Sequence, residues 1–393
     1  MREDARTRQL REASNPLFSD RKLRLGTFSS NLSGGCAISS IDGVLEADWT
    51  STLTLAQLAD EMQFEALVPV GRWKGFGGVT NFNGAGFESF SWAAGIGSAT
   101  KYSGVFATSH VPTIHPVMAA KQATTIDHIT RGRFSLNIVT GWYQPEIEMF
   151  GEPQMEHDAR YDRAVEWLEV IKRLWTAEEE FDYEGRFYKV AKGWCMPKPI
   201  QQPYPVVMNA GGSERGRHYA AKFCDVAFLN LGSSDVGYIK KQIDAYKDLA
   251  RREYGREIQV WSHAYIVQGE TEAEAKSFFN YYVHEKGDWE AADNLVNMLG
   301  LNSKNLGPEA EITQGAFRCR LGRLPPGWDQ RMDRGRAREA CASWVRRRHP
   351  VMAALHRTYA PISDRNTALA RAGWSSVRGL PRKLWHEASG RTR

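Results

Sequence analysis

Short apolar runs alternate with longer stretches of helical spacing along the chain as far as residue 315. Seven β-branched or apolar runs predict strands, at residues 23–28, 66–70, 103–108, 134–139, 206–209, 226–230 and 260–267. Between them, apolar residues at every third or fourth position predict helices, most clearly at 52–63, 117–129 and 161–175. Strands separated by helices indicate parallel βαβ units, which either close as a barrel or remain an open, doubly wound sheet. Chain length favours the (β/α)8 barrel.

Five of the predicted strands end in polar or glycine-rich segments, at residues 29–35, 71–78, 108–110, 137–142 and 209–213. The carboxyl ends of the strands of such a barrel meet at one face, where its binding sites are built. Glycine lets the backbone approach a ligand closely, and polar side chains orient that ligand. These endings therefore predict a cofactor pocket at that face.

One of these endings resembles a phosphate-binding loop. Gly211, Gly212 and Ser213 precede a helix predicted to begin near Glu214, so free backbone N–H groups, a hydroxyl and the positive helix terminus would converge. An ordinary strand–helix turn with Ser213 as the N-cap explains the same residues.

Polar residues on two other segments could hold parts of the same ligand. Arg160 and Tyr161, at the start of another predicted helix, could clamp a phosphate, or could be a surface arginine and a packed tyrosine. Asn137 could pair with the edge of a heterocycle, or could cap a turn. Glu146 could line the pocket wall or be a solvated loop acid.

Several other kinds of site are not expected. The spacing of His110, His115 and His128 is not that of a common metal cluster, and the chain has no H-E-x-x-H. No G-x-G-x-x-G follows a strand, which argues against a chain-borne dinucleotide site. The five cysteines are scattered and contain no C-x-x-C, so neither a disulfide framework nor a zinc site is expected.

The charge of the chain differs between its C-terminal segment and the remainder. The 393 residues are 42% hydrophobic and 25% charged, as in ordinary globular proteins. The net charge of +5 hides a contrast, because residues 316–393 carry 18 Lys or Arg and 5 Asp or Glu while the remainder is net acidic. Residues 1–22 form a polar tail with no apolar core of a signal peptide, and no run is long enough to span a membrane. We expect a cytoplasmic protein that binds neither nucleic acid nor membrane.

Several motifs occur in order along the chain, at residues 74–78 (KGFGG), 87–89 (FES), 119–127 (AAKQATTID), 132–134 (GRF), 137–142 (NIVTGW), 156–161 (EHDARY) and 211–213 (GGS). Taken together, these segments resemble the bacterial-luciferase-like, FMN-dependent monooxygenases, nearest their alkanesulfonate, dimethyl sulfone and pyrimidine branch. The resemblance runs from about residue 23 to 303.

The resemblance implies a two-component enzyme. Reduced FMN would come from a separate NAD(P)H-dependent flavin reductase, and O2 would add to the reduced ring as a C4a-(hydro)peroxide from which one oxygen atom is transferred. Contacts carried over by motif would place Asn137 and Glu146 beside the flavin ring. They would also place Arg160, Tyr161, Gly211, Gly212 and Ser213 at the ribityl-phosphate end, and Gly71 and Arg72 on strand two. A homo-oligomer is usual for such proteins.

Four residues at strand ends are candidates for the substrate side: Asn31, Trp73, His110 and Trp142. The resemblance favours a small organosulfur substrate, a sulfone or an alkanesulfonate. Alternatives are a pyrimidine-ring-opening monooxygenase, an oxidoreductase of the coenzyme F420 type, and an inactive flavin-binding protein.

Residues 316–393 depart from this pattern. We expect the barrel to span 23–315 and its eighth unit to be missing or disrupted, because the last segment has 17 Arg and no strand pattern. It could be a disordered basic tail. Alternatively, codons can be chosen for residues 320–358 that encode, one nucleotide later, an amphipathic helix and an apolar strand. That reading places a frameshift just before Phe317, and the nucleotide sequence of the gene tests it.

Overall fold

The computed structural model describes residues 13–230 and 235–302. Its main feature is a parallel sheet with helices between the strands. In the order in which they pair, the strands of this sheet are β1 Gly26–Phe28, β2 Ala66–Val68, β3 Gly104–His110, β4 Phe134–Val139, β7 Val206–Asn209, β8 Val226–Leu229 and β9 Gln259–Ser262. The fold is thus the predicted α/β barrel type, and within the described residues the sheet contains seven strands.

The α-helices are α1 Trp49–Glu61, α2 Ser89–Ala99, α3 Pro116–Ile129, α4 Gln144–Met149, α5 His157–Thr176, α6 Glu214–Phe223, α7 Val236–Tyr254, α8 Glu272–Phe279 and α9 Trp289–Asn302. Short 3-10 helices occupy Pro16–Phe18 and Val111–Thr113, and a π-helix spans Asn280–Glu285. Among the described helices, none is long and apolar enough to cross a bilayer.

The sequence locates all seven parallel strands, although several boundaries differ. The last strand ends at Ser262, short of the predicted residue 267, and the first begins at Gly26 instead of residue 23. Helix α5 starts four residues before the predicted 161, because the Glu156 side chain accepts from the Asp158 N–H and caps it there.

A two-stranded antiparallel hairpin separates α5 from β7 and was not predicted. It consists of β5 Phe181–Glu184 and β6 Lys189–Gly193, whose residues are mostly polar and exposed. β5 alternates between more and less buried residues over only four positions, and β6 has no regular alternation, so the sequence signal for this hairpin is weak.

Apolar side chains pack against both faces of the sheet. Side chains that point inward from the strands form the interior cluster, which Leu17 joins: Leu17, Ala66, Val68, Phe106, Val206, Met208 and Val226. A larger cluster fills the space between the sheet and its helices, including Trp92, Trp167 and Trp175. Because strand residues alternate between faces, Thr108 and His110 continue the inward row of Phe106, whereas Ser109 faces the helices.

The predicted segment boundaries fall partly outside the described residues. Residues 1–12 of the polar tail, the whole Arg-rich segment 316–393 and the proposed frameshift before Phe317 all lie there, so they stay predictions. Within the described ranges, β1 pairs with β2 alone and β9 with β8 alone. An eighth strand between β9 and β1 would complete a closed (β/α)8 barrel.

Candidate active site

The loop after β7 has the geometry of an anion cradle at the N-terminus of α6. Ser213 is the N-cap, and its Oγ accepts from the Gly216 N–H at 3.0 Å. The Gly211 N–H donates to Asn209 Oδ1 at 2.9 Å, and the Tyr246 hydroxyl donates to the Gly211 carbonyl at 2.9 Å. The loop is therefore held rigidly where helix N–H groups point toward the barrel face.

Arg160 and Tyr161, in the first turn of α5, meet this loop. A Cβ on Gly211 would lie 2.5 Å from the Tyr161 hydroxyl oxygen, which explains why glycine is needed there. Arg160 Nη1 donates to the Gly141 carbonyl at 2.8 Å, while its buried Nε has no hydrogen-bond partner in the protein. Burial raises the pKa of Tyr161, so its hydroxyl stays protonated and able to donate.

Asn137 lies two residues before the end of β4, on the face of the strand that points into the barrel. Its amide nitrogen donates to Thr108 Oγ1 at 3.1 Å, and Thr108 in turn donates to the Pro69 carbonyl. Its carbonyl oxygen Oδ1 is buried and has no partner. A fixed amide with one free acceptor is suited to an N–H group of a ligand.

Glu146 is completely buried beside the end of β2. Its Oε1 accepts from the backbone N–H groups of Trp73 at 2.6 Å and Lys74 at 3.2 Å. The same oxygen lies 3.2 Å from Arg72 Nη1, whose side chain is 6% exposed. This carboxylate therefore fixes the course of the chain after β2 as well as balancing a buried cation.

The Arg72 guanidinium carbon also lies within 4.8–5.2 Å of three ring centroids, those of Phe76, Trp142 and Tyr143. Burial lowers the pKa of Arg72, and the Glu146 carboxylate opposes that effect. A guanidinium remains charged in proteins, so the rings and the carboxylate together hold a positive charge away from water.

His110, the last residue of β3, faces the same pair. Its Nδ1 lies 3.7 Å from Glu146 Oε2, and neither atom has a hydrogen-bond partner in the protein. Burial, together with the nearby Arg72 charge, lowers the pKa of His110 to about 3. The imidazole is therefore neutral at physiological pH.

A cavity of about 250 Å³ opens between the ends of β2 and β3 and the adjoining helices α2 and α3. Gly71, Trp73 and His110 line it on the barrel side, and Ser109 and Gln122 on the helix side. A Cβ on Gly71 would lie 3.0 Å from the Thr108 carbonyl oxygen, so this wall leaves little room for a side chain. The ring of Phe150 packs edge-on against Trp73 at the cavity rim, with centroids 5.0 Å apart.

The predicted site residues thus fall into two groups and two special cases. One group forms the cradle: Arg160, Tyr161, Gly211, Gly212 and Ser213. The other lies at the ends of β2 to β4: Gly71, Arg72, Trp73, His110, Asn137 and Glu146. Trp142 packs on Arg72 outside the cavity lining. Asn31 uses its amide on the Val70 and Phe87 backbone, so it positions the β2 loop and offers no free polar group.

Sequence reasoning missed Ser109 and Gln122, whose polar atoms reach the cavity region without partners. Strand alternation could have assigned Ser109 to the helix side of β3, but no pattern in α3 distinguishes Gln122 from a solvated glutamine. Among the described residues, no group of three or more His, Cys, Asp or Glu side chains is arranged to hold a metal ion.

Comparison with known proteins matches the sequence of the chain to one family. The family described as luciferase-like monooxygenase matches residues 24–316. The FMNH2-dependent dimethylsulfone monooxygenase of Pseudomonas putida is 34% identical over 284 residues, which cover 72% of this chain and 75% of that protein. Pyrimidine monooxygenase RutA of Serratia proteamaculans (strain 568) is 29% identical over 296 residues, covering 75% of this chain and 80% of the relative.

Solved structures agree on the fold. DmoA from Hyphomicrobium sulfonivorans superposes with a TM-score of 0.65 at 19% identity, over 82% of this chain and 77% of that structure. At that identity the likeness concerns the fold alone, whereas the family match extends through most of the sequence. The chain belongs to the luciferase-like monooxygenase family.

Proposed function

We propose that the protein is an FMNH2-dependent, two-component monooxygenase that transfers one oxygen atom from O2 to a small organosulfur compound. The observation that carries the proposal is the cradle at the start of α6, which follows the strand paired with β4, where Asn137 carries an unpartnered acceptor. One end suits a phosphate and the other suits a heterocycle edge. Membership of the family and the FMNH2 dependence of the dimethylsulfone relative support the same reading.

The residues fit FMN. Ser213 and the N–H groups of α6 would hold the phosphate with Tyr161 and the free Nε of Arg160, since these groups are donors at a positive helix terminus. Asn137 Oδ1 would accept from the ring edge. Gly71 and the Arg72–Glu146 pair would border the ring from β2.

In its reduced form the cofactor supplies the electrons that let one atom of O2 be transferred to substrate while the other becomes water. The protein's contribution is placement and exclusion of water. The rings of Phe76, Trp142 and Tyr143 cover Arg72 and keep that side of the site dry. The neutral His110 adds a hydrogen-bonding group without adding charge.

Reduced FMN would be delivered by an NAD(P)H-dependent flavin reductase, in keeping with the lack of a dinucleotide motif in the sequence. The substrate assignment follows the dimethylsulfone relative. The RutA relatives favour a second candidate, a pyrimidine, because the 74–78 segment also resembles theirs.

The test is turnover of the full chain with FMN, a flavin reductase, NADH and 18O2, using dimethyl sulfone, methanesulfonate and uracil as substrates. We expect 18O in the product of an organosulfur compound by mass spectrometry, and none without the reductase. Labelled product from uracil alone would favour the pyrimidine alternative. Absence of labelled product from every substrate, with FMN bound, would contradict monooxygenation.

A further inference from the structure

The segment that follows β2 carries two residues of the site wall, Arg72 and Phe76. The ring centroid of Phe76 lies 4.8 Å from the Arg72 guanidinium carbon, and Phe76 is 5% exposed. Arg72 Nε and Nη1 are buried atoms, and neither has a hydrogen-bond partner among the described residues. Unsatisfied donors of a buried cation attract water, so this wall stays dry only while the ring remains in place.

The start of this segment is held from the side of α4. The Glu146 carboxylate accepts from two backbone N–H groups just after Arg72, and the Tyr143 hydroxyl donates to the Gly75 carbonyl at 2.9 Å. These contacts end immediately before Phe76. The position of its ring therefore depends also on what holds the chain beyond it.

The end of the segment is held by Asp288, which immediately precedes α9 and is 3% exposed. Its Oδ2 accepts from both the backbone N–H and the hydroxyl of Thr80, each at 2.7 Å. Its Oδ1 accepts from the Ala291 N–H at 3.2 Å, as the side chain of a helix N-cap does. One carboxylate thus joins the end of the β2 segment to the first turn of α9.

The segment and the helix are in close contact around this carboxylate. Gly78 has a φ of +74°, and a Cβ there would lie 2.6 Å from Asp288 Oδ2 and 2.7 Å from the Ala291 nitrogen. The Asn294 side chain donates to the Phe76 carbonyl at 2.7 Å, and Phe76 shares an apolar cluster with Ala291. The helix therefore approaches the segment at Phe76 and again at Gly78.

We propose that Asp288 is a positioning residue, which through Thr80 holds Phe76 over Arg72 and so excludes water from this wall of the site. Its consequence for oxygen transfer rests on the function proposed above. Water admitted at the wall would let the two electrons and two protons of the reduced cofactor leave with both oxygen atoms as H2O2. In the coupled reaction one oxygen atom enters the product and the other becomes water.

The first test follows the reactivity of Arg72 and needs no turnover. The full chain, with and without oxidised FMN, is treated with phenylglyoxal, and mass spectrometry measures the rate of modification at each arginine. In wild type Arg72 should react slowly, like the buried Arg133 and Arg160. In Asp288→Ser, Arg72 should react at least fivefold faster while Arg133 and Arg160 are unchanged. Serine keeps an N-cap acceptor but lacks the second oxygen that reaches Thr80.

A matched control and a second variant accompany this test. Glu290→Gln, at an exposed carboxylate in the first turn of α9, should leave Arg72 as slow as in wild type. Thr80→Val removes the hydroxyl donor alone and should raise the reactivity of Arg72 about twofold, and this variant decides if Asp288→Ser does not fold. Arg72 reacting as slowly in the variants as in wild type would overturn the inference. Faster modification of Arg133 and Arg160 as well would indicate general loosening and would overturn it too.

The second test measures where the electrons go, with the substrate that acquires 18O in the experiment above. Asp288→Ser should give at least threefold less product per NADH oxidised, with H2O2 making up the difference. Its Kd for FMN should stay within twofold of wild type, because the cradle is unchanged. Coupling equal to that of wild type would overturn the role assigned to Asp288.

The two proposals can fail separately. Failure of FMN to bind, or of 18O to be transferred to any substrate, would contradict the proposed function. The reactivity of Arg72 in the chain without FMN would then still decide whether Asp288 keeps this wall closed to water.

Discussion

Arg72 and Glu146 form an ion pair that water hardly reaches, and each partner depends on the other. Glu146 also accepts two backbone N–H groups from the chain after β2, so it joins a loop, a cation and a strand end. Removal of one partner from a buried pair leaves an uncompensated charge, which costs more than the pair itself contributes.

Glu146→Gln should therefore lower the free energy of unfolding by about 3–5 kcal/mol, measured by urea denaturation. The double variant Arg72→Met/Glu146→Gln should recover part of that loss, because no buried charge remains. Glu148→Gln, on the exposed side of α4, should change stability by less than about 0.5 kcal/mol. A Glu146→Gln protein as stable as wild type would show that Arg72 is solvated.

His110 makes stability depend on pH. Its pKa is lowered to about 3 in the folded chain, against an unfolded value of about 6.5. The unfolded state therefore binds the proton first as pH falls, so the stabilising contribution is present above pH 6.5 and lost between 6.5 and 3. From pH 6.5 to 5 the loss is about 2 kcal/mol.

His110→Gln should remove that part of the pH dependence. Between pH 6.5 and pH 5, the free energy of unfolding of the variant should fall by about 2 kcal/mol less than that of wild type. The control His128→Gln, at an exposed histidine on α3, should keep the wild-type dependence. Parallel pH curves for wild type and His110→Gln would contradict the buried neutral imidazole.

A variant of Arg160 tests whether the cradle binds the phosphate of FMN. Arg160→Ala removes a charged donor whose Nε has no partner in the protein, so the Kd for FMN should rise roughly tenfold to a hundredfold. Arg173→Ala, in the last turn of the same helix and exposed, should bind FMN like wild type. Flavin fluorescence titration measures both, and equal affinities would place the phosphate elsewhere.

At this scale the sequence selected Asn137, Arg160 and Ser213 as candidates because each lies near the end of a strand or the start of a helix, and their roles stay predictions. It did not predict Ser109 or Gln122. Their significance depends on atoms left without partners, which only the three-dimensional packing reveals.

Among the elements, α6 and the loop before it form the most constrained junction of the site. Gly211→Ala would put a Cβ 2.5 Å from the Tyr161 hydroxyl oxygen and 2.8 Å from the Gly216 backbone. We expect FMN affinity to fall at least tenfold and the melting temperature to fall by several degrees. Flavin titration measures the affinity, and calorimetry measures the melting temperature. Gly237→Ala, in the exposed first turn of α7, should lower neither, and a Gly211→Ala protein with wild-type affinity would exclude this loop as the cradle.

The sequence located the parallel strands because β-branched and apolar residues recur there between predicted helices, whereas it missed the β5–β6 hairpin. That hairpin is mostly polar, with Phe181 packed in the core cluster, and the Glu166 side chain accepts from the N–H groups of Arg186 and Phe187 in its turn. Such tertiary hydrogen bonds replace the periodicity on which a sequence reading depends.

For the whole molecule, the important feature is a seven-stranded sheet within the described residues, with β1 and β9 each paired on one side only. The frameshift proposed before Phe317 concerns residues outside that description. We predict that a gene restored to the shifted frame from that codon yields a protein with a melting temperature several degrees higher and tighter FMN binding. An eighth strand would pair both edges and close the barrel.

Calorimetry and flavin titration of the two full chains make this comparison. A matched control carries the restored segment with its predicted strand replaced by Gly and Ser, which should behave like the original chain. If the restored chain is no more stable than that control, the eighth strand does not close this sheet.

Trp73 gives the cavity an optical reporter. Its indole is 42% exposed at the rim and packs edge-on against Phe150, so its local polarity changes when a molecule enters beside it. The ultraviolet emission of this indole should shift to shorter wavelength as solvent leaves the rim, and oxidised flavin nearby should absorb part of that emission. The difference in emission between wild type and Trp73→Phe separates this signal from the other tryptophans of the chain, so entry of substrate and cofactor can be followed in real time without an attached dye.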